Sequence, residues 1–182
     1  MRLGIDLGQL VSPASGGIVY LVQGILKALF GLAPEDRFVV YRAPASCELL
    51  EPLPANVTRV LLRAESFWRD LGSAAIRDRV DVLFRSYPID EPVAFPMDRQ
   101  LFMIPDLLHE TLPATLSTEI VNRRRLAFAA AISKAGAIAV LSEEGCKALQ
   151  SPCATCNIVA PGASLPFTAR DPGRRLDSLT SL

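Results

Sequence analysis

An acid, an imidazole and a second acid fall within five consecutive positions, Asp106-Leu107-Leu108-His109-Glu110. Groups of these types move protons between reacting atoms or hold the hydroxyls of a sugar. The same residues also make an ordinary solvated loop, and local sequence does not separate the two readings. His109 is the one histidine of the chain, which excludes a multi-histidine metal site. Gly16 and Gly17 follow the first apolar segment and open the next. Glycines let backbone approach a ligand closely, and free amides at a helix start attract phosphate. A plain turn explains them equally well, because the spacing is not that of the dinucleotide fingerprint G-x-G-x-x-G. Ser142-Glu143 can hydrogen-bond a ligand, although an N-cap role accounts for Ser142 by itself. The run Arg123-Arg124-Arg125 can grip phosphate, but a charge run on one helix is more often a solvated face. Cys153 and Cys156 have C-x-x-C spacing without the second pair that a zinc ribbon needs. Asn56-Val57-Thr58 is a glycosylation sequon in a chain that shows no secretion signal.

These residues are useful only if the chain places them together, and the hydrophobic pattern says how. Residues 3–7 read as a strand running into a loop rich in turn formers. A helix is predicted over 17–32, with Pro34, Glu35 and Asp36 ending it. Further strands are predicted over 38–41, 57–62, 81–84, 100–104, 137–141 and 157–160. Between them lie a helix over 66–79 capped by Ser66, a long helix capped by Ser117, and a short helix over 143–149 capped by Ser142. Trp68 falls on an apolar helix face and reads as core. Strands alternating with helices predict an α/β domain: a Rossmann-like parallel sheet with helices on both faces. In such sheets ligands sit at the carboxyl ends of the strands, beside a switch in strand order. The loops that matter are therefore 8–17, 86–96, 105–113 and 142–145.

Bulk properties narrow the function classes. The chain has 182 residues, half of them apolar, and a formal net charge of zero. That length suits one domain, and zero charge gives no whole-chain field for nucleic acid. Asp6 interrupts the apolar start where a signal peptide needs an unbroken stretch, so reduced thiols in a cytoplasm are expected. The apolar region 17–33 carries Gln23 and Lys27 and is short for a bilayer span, so no transmembrane segment is expected. Residues 1–165 are expected to form the domain, and 166–182, without apolar period, a loosely held tail or linker.

Several blocks, in order, resemble the amino-terminal domain of the retaining glycosyltransferase family 4, which has the two-domain GT-B fold. Leu3-Gly4-Ile5-Asp6-Leu7 with the loop ending in Gly16-Gly17 resembles the family's first strand and glycine loop. Asp81 to Phe84 resembles its D-V-hydrophobic strand, and Met103 to Leu107 its hydrophobic-H-D-L signature. Ala137 to Glu143 resembles its I-I-A-V-S-E strand and turn, and Ile158 to Ala163 its V-V-P-N-G-V strand. The resemblance covers about 2–167. It implies transfer of a sugar from a nucleotide-sugar donor to an acceptor glycan or lipid, at or near a membrane surface in some members. Asp106 and His109 would then be catalytic, and Gly16, Gly17, Ser142 and Glu143 would bind substrate. No cofactor is implied, the nucleotide sugar being a substrate.

Two departures stand out. The signature histidine is Pro105 here, with His109 three residues after Asp106. The family's carboxyl half, with paired glutamates eight positions apart, has no counterpart in this sequence, so the chain alone is expected to be inactive. The alternative is a binding module for a glycan or partner, without transfer. Removing Asp106 or His109 is expected to cripple transfer with little change in melting temperature.

Overall fold

A computed structural model describes residues 1–8, 10, 17–46, 52–149 and 155–158, the last four as backbone alone. Gly16, Cys47, Cys153, the segment 159–165 and the expected tail 166–182 lie outside the described residues.

Seven strands form one parallel sheet: β1 Arg2–Asp6, β2 Arg37–Arg42, β3 Val57–Leu61, β4 Val82–Arg85, β5 Gln100–Ile104, β6 Ala137–Val140 and β7 Thr155–Ile158. Their spatial order is β3-β2-β1-β4-β5-β6-β7. The chain thus leaves β1 toward one edge, returns across β1, and builds the other half from β4 outward. Five helices accompany the strands: α1 Gly17–Leu32, α2 Phe67–Arg77, α3 Leu108–Thr111, α4 Thr118–Lys134 and α5 Glu143–Leu149.

Side-chain alternation divides the core by faces, as the pleat of a strand requires. In β2, Phe38 and Val40 pack with Val22, Leu26 and Phe30 of α1, together with Leu3 and Ile5. Val39 and Tyr41, pointing the other way, pack with Phe67, Leu71, Ala74 and Ala75 of α2. Along the second half, Phe102, Ile104, Ile138 and Val140 meet Ala127, Phe128 and Ala131 of α4. Helices therefore cover both faces, as the alternating pattern predicts. Each large apolar side chain buried this way contributes about 1.5–3 kcal/mol. In α1 the buried set Val19, Val22, Leu26 and Phe30 recurs every three or four residues, which is why this segment is a helix.

Local chemistry fixes the helix ends. Ser117 Oγ accepts from the Ile120 amide at 3.3 Å and Ser142 Oγ from the Gly145 amide at 3.0 Å, as N-caps do. Asn56 holds the other end of α1: its Nδ2 donates to the Phe30 and Ala33 carbonyls, both at 3.3 Å. The sequon asparagine is thus occupied with a helix terminus.

Three expectations are corrected. Ser66 occupies the N-cap position of α2 but accepts no backbone amide; its buried hydroxyl donates to Asp70 Oδ2 at 2.5 Å. The last strand begins at Thr155, two residues earlier than its apolar run suggests, because pairing with β6 sets its register from Ala137↔Thr155 to Val140↔Ile158; 159 and 160 lie outside the described residues. The loop 105–113 contains one turn of helix, α3.

The carboxyl end of α2 carries a testable conflict. Val80 N donates to Ala75 O at 2.9 Å and Arg79 N to Ile76 O at 3.0 Å, the paired bonds of a Schellman motif. The left-handed position is held by Arg79, at φ 54°, where glycine is the unstrained residue. Arg79→Gly is expected to stabilise the domain by about 1 kcal/mol. An unchanged or lower urea midpoint would show that the arginine side chain is itself holding this turn.

Candidate functional site

Strand order reverses between β1 and β4, so the crevice of this sheet opens at their carboxyl ends. Both strands end in a charge. Asp6 closes β1 and Arg85 closes β4, as register partners with Tyr41 and Phe102 on either side. By alternation with Ile5 and Phe84, both point to the face that carries α2 and α4. Arg85 Nε donates to Asp6 Oδ2 at 3.1 Å, and the two side chains are 3% and 0% exposed. The other Asp6 oxygen accepts the Gly8 amide at 2.9 Å. Burial pushes the Asp6 carboxyl above its usual range, against the pull of the Arg85 charge and the Gly8 amide. The Arg85 guanidinium lies 5.4 Å from the Phe102 ring centroid. Among the described residues, Arg85 Nη2 and, one residue on, Ser86 Oγ are buried without a hydrogen-bond partner.

The glycines of the first loop differ in kind. A Cβ on Gly8 would stand 2.2 Å from Phe67 and 2.4 Å from Trp68, so this turn presses on the aromatic start of α2. Phe67 and Trp68 meet edge to face at 4.4 Å. At Gly17, the first residue of α1, a Cβ would meet nothing within 4 Å.

The second cluster of site residues follows β5 and β6. Asp106 is exposed, and its Oδ1 accepts the Leu108 amide at 3.0 Å, which starts α3, and Arg124 Nη1 at 3.3 Å. His109 turns the other way. It is 2% exposed, with its ring 4.4 Å from that of Phe128 on α4 and Nδ1 without a partner among the described residues. Burial lowers its pKa from 6.5, so the ring is neutral in the folded protein at neutral pH. Asp106 and His109 share a turn of chain but present themselves to solvent and to core respectively. Ser142 and Glu143 are exposed at the start of α5, Ser142 engaged as its cap.

The arginine run is spent on carboxylates. Arg123 makes a two-point pair with Asp90 at 3.1 Å, Arg124 reaches Asp106, and Arg125 makes a two-point pair with Glu110 at 2.9 and 3.1 Å. Arg124 also lies 5.2 Å from the Tyr87 ring centroid. Successive residues of α4 thus hold the loop after β4, the loop after β5 and α3. These are largely exposed pairs, each worth about 0–1 kcal/mol, so their effect is to orient loops more than to stabilise the fold.

Asp6 and Arg85 are the residues sequence reasoning misses. Their signal is present: each is a charge that closes an apolar run, Leu3 to Ile5 before Asp6 and Val82 to Phe84 before Arg85, and the charges are opposite. Among the described residues no group of three or more metal-ligating side chains comes together, and no helix is long and apolar enough to cross a membrane. No protein-family model matches the chain, and no curated protein matches it in sequence.

Proposed function

We propose that this domain is the acceptor-side half of a retaining glycosyltransferase of the GT-B type, acting in the cytoplasm with a second domain that holds the nucleotide of the donor. One observation carries the reading. Ile104 and Val140 are register partners on adjacent strands, so Asp106 and Ser142 each lie two residues beyond a paired strand end. Two of the blocks that resemble the family, Met103 to Leu107 and Ala137 to Glu143, therefore terminate side by side, on the edge of the sheet where ligands bind. In this reading Asp106 and Glu143 accept hydrogen bonds from sugar hydroxyls, with Ser142 beside them. His109 enters the chemistry by holding α3 against Phe128 and so fixing the Asp106 turn. Gly16 and Gly17 approach the donor phosphates from the start of α1.

Transfer itself needs two clefts' worth of groups: one wall cannot orient donor and acceptor or exclude water. The alternative is a glycan- or partner-binding module without transfer. It draws on the ion pairs that already occupy Asp106 and Glu110.

A panel of nucleotide sugars, assayed for hydrolysis and transfer with the chain alone and together with a nucleotide-binding partner domain, separates the two. Activity on combination supports the transferase, and it should fall with Asp106→Ala while the melting temperature holds. Gly17→Ala adds an internal contrast. Its Cβ meets open space, so the variant is expected to gain about 0.4–1 kcal/mol of stability. It should nevertheless bind donor more weakly, whereas Gly31→Ala, equally open and at the far end of α1, should gain stability alone. Donor affinity unchanged in Gly17→Ala would remove the glycine from the site, and glycan binding without turnover would leave the binding module.

A further inference from the structure

The glycosyltransferase reading makes no use of the most buried charges among the described residues, Asp6 and Arg85. A guanidinium has five N–H donors, and burial obliges each to find an acceptor. Arg85 spends Nε on Asp6, and the second Asp6 oxygen is taken by the Gly8 amide. The ring of Phe102 covers one side and offers no lone pair in the guanidinium plane. Among the described residues Nη2 is left buried and without an acceptor. An unmet bond from a charged donor away from water is destabilising, so the group is poised to gain from an acceptor brought by a ligand. Its position is the place in the sheet where ligands bind, the reversal of strand order between β1 and β4.

We propose that Arg85 anchors an oxyanion site at the carboxyl ends of β1 and β4, where Nη2 donates to a phosphate or carboxylate oxygen of a ligand. Such a charge-assisted bond is roughly twice as strong as one between neutral groups, which favours an anion over a hydroxyl as the occupant. Asp6 is the positioning residue. It takes Nε, fixes the plane of the guanidinium, and so aims Nη2. The site is independent of sugar transfer and would exist equally in a binding module.

Calorimetric titration of the full chain with inorganic phosphate and, separately, acetate tests this. Saturable binding of either is expected, and the tighter of the two names the anion class. Arg85→Lys keeps a cation beside Asp6 but loses the fork, and is expected to bind at least about tenfold more weakly, the loss of one charge-assisted bond. Asp6→Asn keeps the guanidinium and should still bind. Should Arg85→Lys fail to melt cooperatively, the uncharged double variant Asp6→Asn/Arg85→Gln takes its place. The Gly8 amide, bonded to Asp6, reports on the site in the wild-type protein and should shift in its nitrogen-15 spectrum as phosphate is added. No saturable binding of either anion overturns the proposal. So does wild-type affinity in the folded variant that lacks the guanidinium, or a Gly8 resonance that stays still while phosphate binds.

Discussion

Arg85→Leu is expected to destabilise the domain by about 3–5 kcal/mol, a large share of the 5–15 kcal/mol that holds a typical domain together. Lost attraction is the smaller part of that effect. The substitution strands Asp6, at 0% exposure, with the Gly8 amide as its remaining hydrogen-bond partner. The pH dependence has a definite sign. An unpaired buried carboxyl has a folded-state pKa above its unfolded value, so the defect is greatest above that folded value and shrinks as pH falls through it and the group is neutralised. Replacing both members, Asp6→Leu with Arg85→Met, is expected to leave stability within about 1 kcal/mol of wild type or to raise it, since no charge is then left without a partner. Urea unfolding at pH 7 with comparable slopes reads all three. A single substitution that moves stability by under 1 kcal/mol would mean that Asp6 is uncharged in the native protein, and the ion pair would lose its meaning.

His109→Ala is expected to cost about 2–5 kcal/mol, the range for truncating a buried side chain of this size. Reading the sequence alone makes this a loop residue, removable without effect on melting. Burial against Phe128 corrects that expectation. Acidity gives a second readout. The folded state holds His109 with a pKa below 6.5, so the unfolded chain takes up the proton first. Stability is full above 6.5, declines as pH falls below it, and stops declining once the pH has passed the depressed folded value. The slope is at most about 1.4 kcal/mol per pH unit for one proton. Arg124 and Arg125 oppose the protonated ring, while Glu110 and Asp106 favour it. His109→Leu should flatten this acid limb while retaining most of the packing. A wild-type stability that is level between pH 7 and 5 would show that the ring is already protonated or already solvated.

The sheet was legible because its strands are apolar runs punctuated by turn residues, and α1 because four buried positions recur at helical spacing. β7 begins earlier than expected because its first residues alternate polar and apolar, a weaker signal than a continuous apolar run. α3 is a single turn, below the length at which periodicity registers, and it forms because Asp106 accepts the Leu108 amide. At the site, the strand-end positions of Asp106 and Ser142 follow from local pattern. The inward turn of His109 does not, because it depends on Phe128, nineteen positions later and on another helix. The arginine run illustrates the same limit. Its composition reads as a solvated face, and Arg123 and Arg125 are indeed exposed; what composition does not give is the carboxylate that each member meets by tertiary contact. Pairing of Asp6 with Arg85 is the extreme case, visible only after strand order is known.

That pairing spans 79 positions of sequence, and it sets when the molecule can be finished. While the chain is being made, β1 can pair with β2 as soon as residue 42 is available, and β3 can extend that side. The opposite edge of β1 stays bare until β4 arrives. Until then the nascent chain carries an unpaired strand whose last residue is an acid without its cation. Closing so long a loop is entropically slow, and parallel sheets lack the local hairpins that would shorten it. The interval before β4 docks is therefore when this chain is most prone to associate with copies of itself. A nascent chain arrested before residue 85 should depend on a holdase far more than one arrested after β5, whose first half is already zipped.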